Sequence, residues 1–136
     1  MSLTLSDIDD LRRKKHDPIV VGELPNIIRL ALRLRVPLVH LSNQSLRHVT
    51  ARHPDISDID LLLLPFVIQH GLILQQQNKR NVILACYQQP MSHRRYLAAM
   101  KITDRGSEVW LDSYYRTRPR ETARLLRRTE ILKRHD

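Results

Sequence analysis

After Gly71 the chain gives four short runs of strand character with almost nothing between them. They are "LILQQQ", "VILACYQQ", "RRYLAAMKITD" and "SEVWLDSYYR", joined by "NKRN", "PMSH" and "RG". Short polar turns return the chain at once, whereas a parallel pairing needs a crossover of a dozen residues or more. These turns therefore predict an antiparallel meander. The sequence before Gly71 is mostly helical in pattern. Helices first and a four-stranded antiparallel sheet second make an α+β domain, with helices packed on one face of the sheet and a basic helix at the C-terminus.

The helical half carries its own punctuation. Ser6 before "DIDDLRRKK" reads as an N-cap, with Asp in the first turn and basic residues in the last, and Pro18 ends that helix. "IVVG" reads as a short buried strand closed by Gly22. "IIRLALRLRV" alternates like a strand and also forms a helical face, and its Leu, Ala and Arg content after Pro25-Asn26 favours a helix. "PLVHLS" is strand-like and ends at Ser42, a good cap for the short helix "NQSLRHVTARH", whose inward stripe is Leu46, Val49 and Thr50. "DISDIDLLLLPFVIQHG" is a helix capped by Ser57 and closed by Gly71, with Pro65 imposing a kink or a division into two. The closing "RPRETARLLRRTEILKRHD" reads as one helix with Leu125, Leu126, Thr129 and Leu132 on a stripe.

A chain of 136 residues is expected to be a single domain, 1–136, divided into an N-terminal helix (1–17), a core (18–116) and a basic C-terminal helix (117–136). The net charge of +9 points to an anionic partner, with nucleic acid first. It is unevenly placed: Arg116 to Arg134 holds eight Lys or Arg against two Glu. No apolar run reaches the ~20 residues of a membrane span, so no membrane role is expected. The acidic start "MSLTLSDIDD" does not read as a secretory signal, and the lone Cys86 excludes an internal disulfide framework. Both fit a bacterial cytoplasm.

The meander's last strand holds three of the five Trp and Tyr residues of the chain. With regular alternation Val109, Leu111, Ser113 and Tyr115 point one way, and Trp110, Asp112, Tyr114 and Arg116 the other. The "DRG" turn makes Lys101 a cross-strand neighbour of Ser113 and Tyr115. An amine, a hydroxyl and a phenol on one face can hold a phosphodiester. A solvated polar face with packed tyrosines explains the same pattern. His48 and His53 are five residues apart and do not share a helical face, and no further ligand completes a metal site. His53 continues the Leu46–Val49 stripe toward the sheet.

"PIVVGELP", "VHLSNQSLRHVTARHPDI", the apolar helix and the meander ending "KITDRGSEVWLDSYYR" together resemble the phage-barnase–EndoU–colicin–RelE-like nucleases over residues 18 to 118. The resemblance implies a metal-independent endoribonuclease of the toxin or phage-effector kind, needing no cofactor and acting on RNA. An acidic antitoxin or immunity protein is then a candidate partner, and delivery by a phage or mobile element a candidate route. It further implies site roles for His48 and His53 in the "H….HP" motif, for Lys101, and for Ser113, Tyr115 and Arg116 at the strand end. The expected chemistry is attack of the ribose 2′-hydroxyl on its own phosphorus. His53 or His48 would act as acid or base, Lys101 and Arg116 would stabilise charge, Ser113 would position the phosphate, and Tyr115 would stack on a base or give a proton. Arg118, Arg120, Arg124, Arg127 and Arg128 are the expected RNA-binding residues. The alternative is a basic nucleic-acid-binding or protein-interaction module without catalysis.

Overall fold

A computed structural model describes residues 2–134. In chain order the elements are α1 (Leu5–Arg12), β1 (Ile19–Glu23), α2 (Asn26–Ala31), β2 (Leu38–Leu41), α3 (Asn43–Arg52), α4 (Asp58–Leu62), α5 (Leu64–His70), β3 (Leu72–Gln76), β4 (Val82–Gln88), β5 (Arg95–Thr103), β6 (Glu108–Thr117), α6 (Pro119–Leu126) and β7 (Thr129–Lys133). Local chemistry explains most boundaries. Thr4, not Ser6, caps α1, in a reciprocal pair with Asp7. Ser57 and Asp60 form the same pair at α4. Pro65 sits in the first turn of α5, where its missing N–H costs nothing, and it divides the apolar stretch into two helices.

The runs after Gly71 are strands β3 to β6, paired antiparallel in succession. The sheet they belong to is larger than expected, and it is not purely antiparallel. It has seven strands in the order β1-β2-β6-β5-β4-β3-β7. The expected four-stranded antiparallel sheet is thus corrected to a seven-stranded mixed one. The additions have plain causes. "IVVG" and "PLVHLS" are apolar enough to pair with each other, and β2 then joins β6 in parallel through Val39–Val109 and His40–Trp110. At the other end the expected long C-terminal helix stops at Leu126. "TEILK" continues as β7, antiparallel to β3. Thr129 accounts for the change of state: its hydroxyl donates to the Leu125 carbonyl at 2.7 Å, ending the helix, and its β-branch suits the strand that it opens.

The sheet curls. Helix α5 touches β1, β4 and β5, although β1 and β4 are four strand positions apart. In a flat sheet that distance is roughly 19 Å, beyond the ~10 Å length of a two-turn helix. Gly22 is what lets β1 close in, since a Cβ there would run into the Ile68 side chain. The concave face holds the main core, in which Leu46, Val49, Leu64, Val67 and Ile68 meet Tyr96, Ala98, Met100, Val109, Leu111 and Tyr114. The convex face holds a smaller cluster of Leu72, Leu74, Leu84, Cys86 and Leu97, against which Tyr115 and Leu125 pack. Because α6 must link β6 to β7 four positions away, it crosses this convex face with Leu125 inward and arginines outward.

Candidate functional site

A β-bulge fixes which side chains share a face. Between Met100–Leu111 and Ala99–Ser113 the register of β5 and β6 slips, leaving Asp112 as the extra residue. Val109 and Leu111 therefore face the concave core together with Tyr114, while Ser113 and Tyr115 face the convex side with Trp110. The regular alternation expected from sequence is corrected at this one residue. Lys101 lies on the convex side too, opposite Trp110.

Two side chains from distant sequence meet at Tyr115. Strand β2 pairs with β6 only at Val109 and Trp110, so the β6 edge beyond is left to the end of α3. His53 is the residue that closes α3, its N–H bonded to the Val49 carbonyl at 2.8 Å. Its ring stacks on Tyr115 with centroids 4.9 Å apart and planes 23° from parallel. Tyr115 also lines a cleft of about 190 Å³ with Glu121, Arg124, Leu125 and Arg128 of the α6 region. Glu121 and Arg124 continue into a second cleft with Arg118, Pro119 and Arg120. Burial first, and then the Glu121 carboxylate, hold the Tyr115 phenol above its ordinary pKa, so it remains a hydrogen-bond donor. Next to Tyr115 in the smaller cluster, burial pushes the Cys86 thiol up to about 11, which makes it a packing group and not a nucleophile.

The expected residues are only partly gathered. Tyr115 stacks on His53 and lines a cleft with Arg124 and Arg128, and Ser113 is one step along the same face. Lys101 shares that face but lies opposite Trp110, while Tyr115 lies opposite Leu97. Four residues of strand separate the two positions, roughly 13 Å. Lys101 is instead 3.9 Å from Asp112, both side chains half exposed. His48 is exposed on the outer side of α3. Arg127 is exposed and lines neither cleft.

Arg116 is on the concave side, bound to a carboxylate that sequence reasoning missed. Asp60 is 1% exposed. Its oxygens accept from the Tyr96 hydroxyl at 2.5 Å, from the Ser57 N–H at 2.8 Å and hydroxyl at 3.0 Å, and from Arg116 Nη2 at 3.0 Å. Arg94 adds a second guanidinium at 3.8 Å, and the Tyr114 hydroxyl donates to the Asp60 carbonyl at 2.7 Å. Burial alone would raise the Asp60 pKa, but the hydrogen bonds from Tyr96, Ser57 and Arg116 outweigh it and hold the carboxyl below its usual range. Burial likewise opposes the charge on Arg116, and the hydrogen bond to Asp60 reverses the balance and raises its pKa. The sequence signals were the Ser57-x-x-Asp60 capping box and two tyrosines inside otherwise apolar strands.

Among the described residues no group of three or more His, Cys, Asp or Glu is placed to hold a metal ion. No helix among them is long and apolar enough to cross a membrane. No family model, curated protein or solved structure matches this chain.

Proposed function

We propose that the chain cleaves RNA in the cleft at Tyr115, without a metal ion. The observation that carries this reading is the stacking of His53 on Tyr115 beside Arg124 and Arg128. It joins an imidazole, the side chain most used for proton transfer, through Tyr115 to a cleft that holds two guanidinium groups. The ribose 2′-oxygen attacks its own phosphorus, and the bond from phosphorus to the 5′-oxygen breaks. The products are a 2′,3′-cyclic phosphate and a free 5′-hydroxyl. The 2′-hydroxyl proton passes to the Glu121 carboxylate, and His53 gives a proton to the departing 5′-oxygen. Arg124 and Arg128 face the phosphoryl oxygens as charge builds, and the Tyr115 hydroxyl donates to one of them. Lys101 and Arg116, expected at this centre, take no part: Lys101 is too far along the strand, and Arg116 is held by Asp60.

On this reading the likeness to the phage-barnase–EndoU–colicin–RelE-like nucleases is one of chemistry, since the four-stranded sheet it implied is not the one observed. The second reading, a basic RNA-binding module without cleavage, draws support from the displaced Lys101 and Arg116. Purified protein incubated with RNA in excess EDTA separates the two. Cleavage with cyclic-phosphate ends supports the enzyme, while a stable complex with intact RNA supports the binder. In the first case His53→Ala should lower the rate by about 10²–10⁴, the range for loss of a general acid. His48→Ala should leave it unchanged, because that ring faces away from the cleft. Equal losses at the two histidines would remove His53 from the mechanism.

A further inference from the structure

We propose that Trp110, His40 and Lys101 form a base-stacking subsite for single-stranded RNA, separate from the cleft at Tyr115. The inference rests on the RNA reading above and extends it. The three residues are direct cross-strand partners: His40 on β2 lies opposite Trp110 on β6, which lies opposite Lys101 on β5. The bulge at Asp112 leaves Trp110 on the convex side, whereas the helices of the main core pack on the concave one. On the convex side α6 packs through Leu125 on the smaller cluster.

The geometry suits a nucleobase. The His40 and Trp110 rings lie 5.6 Å apart at 43°, so they do not stack on each other and leave an open angle between their faces. Both side chains are partly exposed. The His40 Nδ1 is buried without a hydrogen-bond partner, so any polar contact this ring makes with a ligand falls to its other nitrogen, Nε2. A flat apolar surface with one polar atom at its rim accepts any base by stacking.

Charge decides the occupant. Lys101 is 51% exposed, and its pairing with Asp112 at 3.9 Å is loose and solvated. Such a pair contributes little and exchanges readily for a phosphate. Asp112 is the nearby acid, and it limits the subsite to one phosphate contact. The subsite lies roughly 13 Å from Tyr115 along the same strands, so a single strand laid along β6 meets both.

Trp110 is the chain's single tryptophan, so intrinsic fluorescence reports on this subsite alone. The full chain is titrated with a uridine oligonucleotide whose 2′-oxygens are methylated, which binds without being cut. Binding is followed by tryptophan emission, and in parallel by anisotropy of an end-labelled copy. Emission should be quenched over the same concentration range as the anisotropy rises. Lys101→Gln should flatten the slope of log affinity against log salt by ~0.7. Trp110→Leu should weaken binding roughly 5- to 150-fold, the range for one lost stacked base. Should that variant misfold, emission from the native chain and Lys101→Gln still decide. Binding with unchanged emission, or an unchanged salt slope in Lys101→Gln, would overturn the subsite and leave the cleft at Tyr115 standing. No binding at all would overturn both. Absence of cleavage with quenching intact would overturn only the enzymatic reading.

Discussion

Asp60 keeps its charge at 1% exposure because every nearby donor was built to face it. The network ties α4 to β5 and β6, and so holds the helical layer onto the sheet beneath α3 and its terminal His53. Breaking one side of a buried pair costs more than the pair contributes, since the partner's charge stays behind. Asp60→Ala strands the Arg116 guanidinium and the buried Tyr96 hydroxyl, and it should destabilise the fold by about 3–5 kcal/mol in urea unfolding at neutral pH. The pH dependence has a definite sign. A carboxyl whose folded pKa lies below its unfolded value stabilises the fold above the unfolded pKa, and that stabilisation is lost as pH falls through the folded one. Wild-type protein should therefore lose stability as the solution is acidified below about pH 4, the ordinary Asp value. Asp60→Asn, already weaker at neutral pH, should show a shallower acid limb. Asp58, lowered by its hydrogen bond with Arg12, leaves a residual slope in the variant. Parallel acid limbs in the two proteins would mean that Asp60 does not carry its charge in the fold.

At the scale of elements, one inserted residue sets the two faces of β6. Asp112 is the residue that the register skips, so deleting it leaves Leu111, Tyr114 and Arg116 inward and Ser113 and Tyr115 outward by plain alternation. One Ala inserted between Ser113 and Tyr114 would instead turn Tyr114 and Arg116 outward and drive Tyr115 into the core, removing the Tyr114 bond to Asp60 and the Arg116 ion pair together. The insertion should leave no cooperative thermal transition, whereas the Asp112 deletion should still unfold cooperatively. A folded insertion protein would show that register slips freely here. The same bulge explains what the sequence could and could not tell. The strands β3 to β6 and their turns were legible because period and punctuation are local. So were the caps at Ser42 and Ser57. The phase of Tyr114 against Leu111 was not, because a bulge leaves no mark in residue type. The parallel pairing of β2 with β6 was hidden too, since it joins residues near 40 and 110 whose meeting depends on the curl of the whole sheet. The break at Thr129 looked like one more turn of an apolar stripe. At the site, the tyrosine and histidine that meet were readable as chemistry, while Asp60 passed as an ordinary cap.

The curl and the last connection together give the molecule its charged side. Because β7 adds to β3 at the far edge, α6 has to recross the convex face, and it brings Arg124 and Arg128 back beside Tyr115 while leaving them exposed. The net charge of +9 is thus partly concentrated on one surface, from which Arg116 must be subtracted because Asp60 neutralises it. If that surface holds RNA, each phosphate contact releases condensed counterions, and affinity should fall with salt in proportion to the contacts made. Changing Arg124, Arg127 and Arg128 together to Gln removes three exposed charges while keeping good helix formers and the inward Leu125. The slope of log affinity against log salt for single strands should flatten by about 2, at ~0.7 for each lost contact, and similarly for every RNA sequence tried. Cleavage at saturating RNA should fall as well, because Arg124 and Arg128 stand at the proposed phosphoryl centre, whereas Lys101→Gln should change the slope and spare the saturated rate. A triple variant with an unchanged salt slope would make the basic face a solvated surface, and the identity of its partner would then have to be sought away from α6.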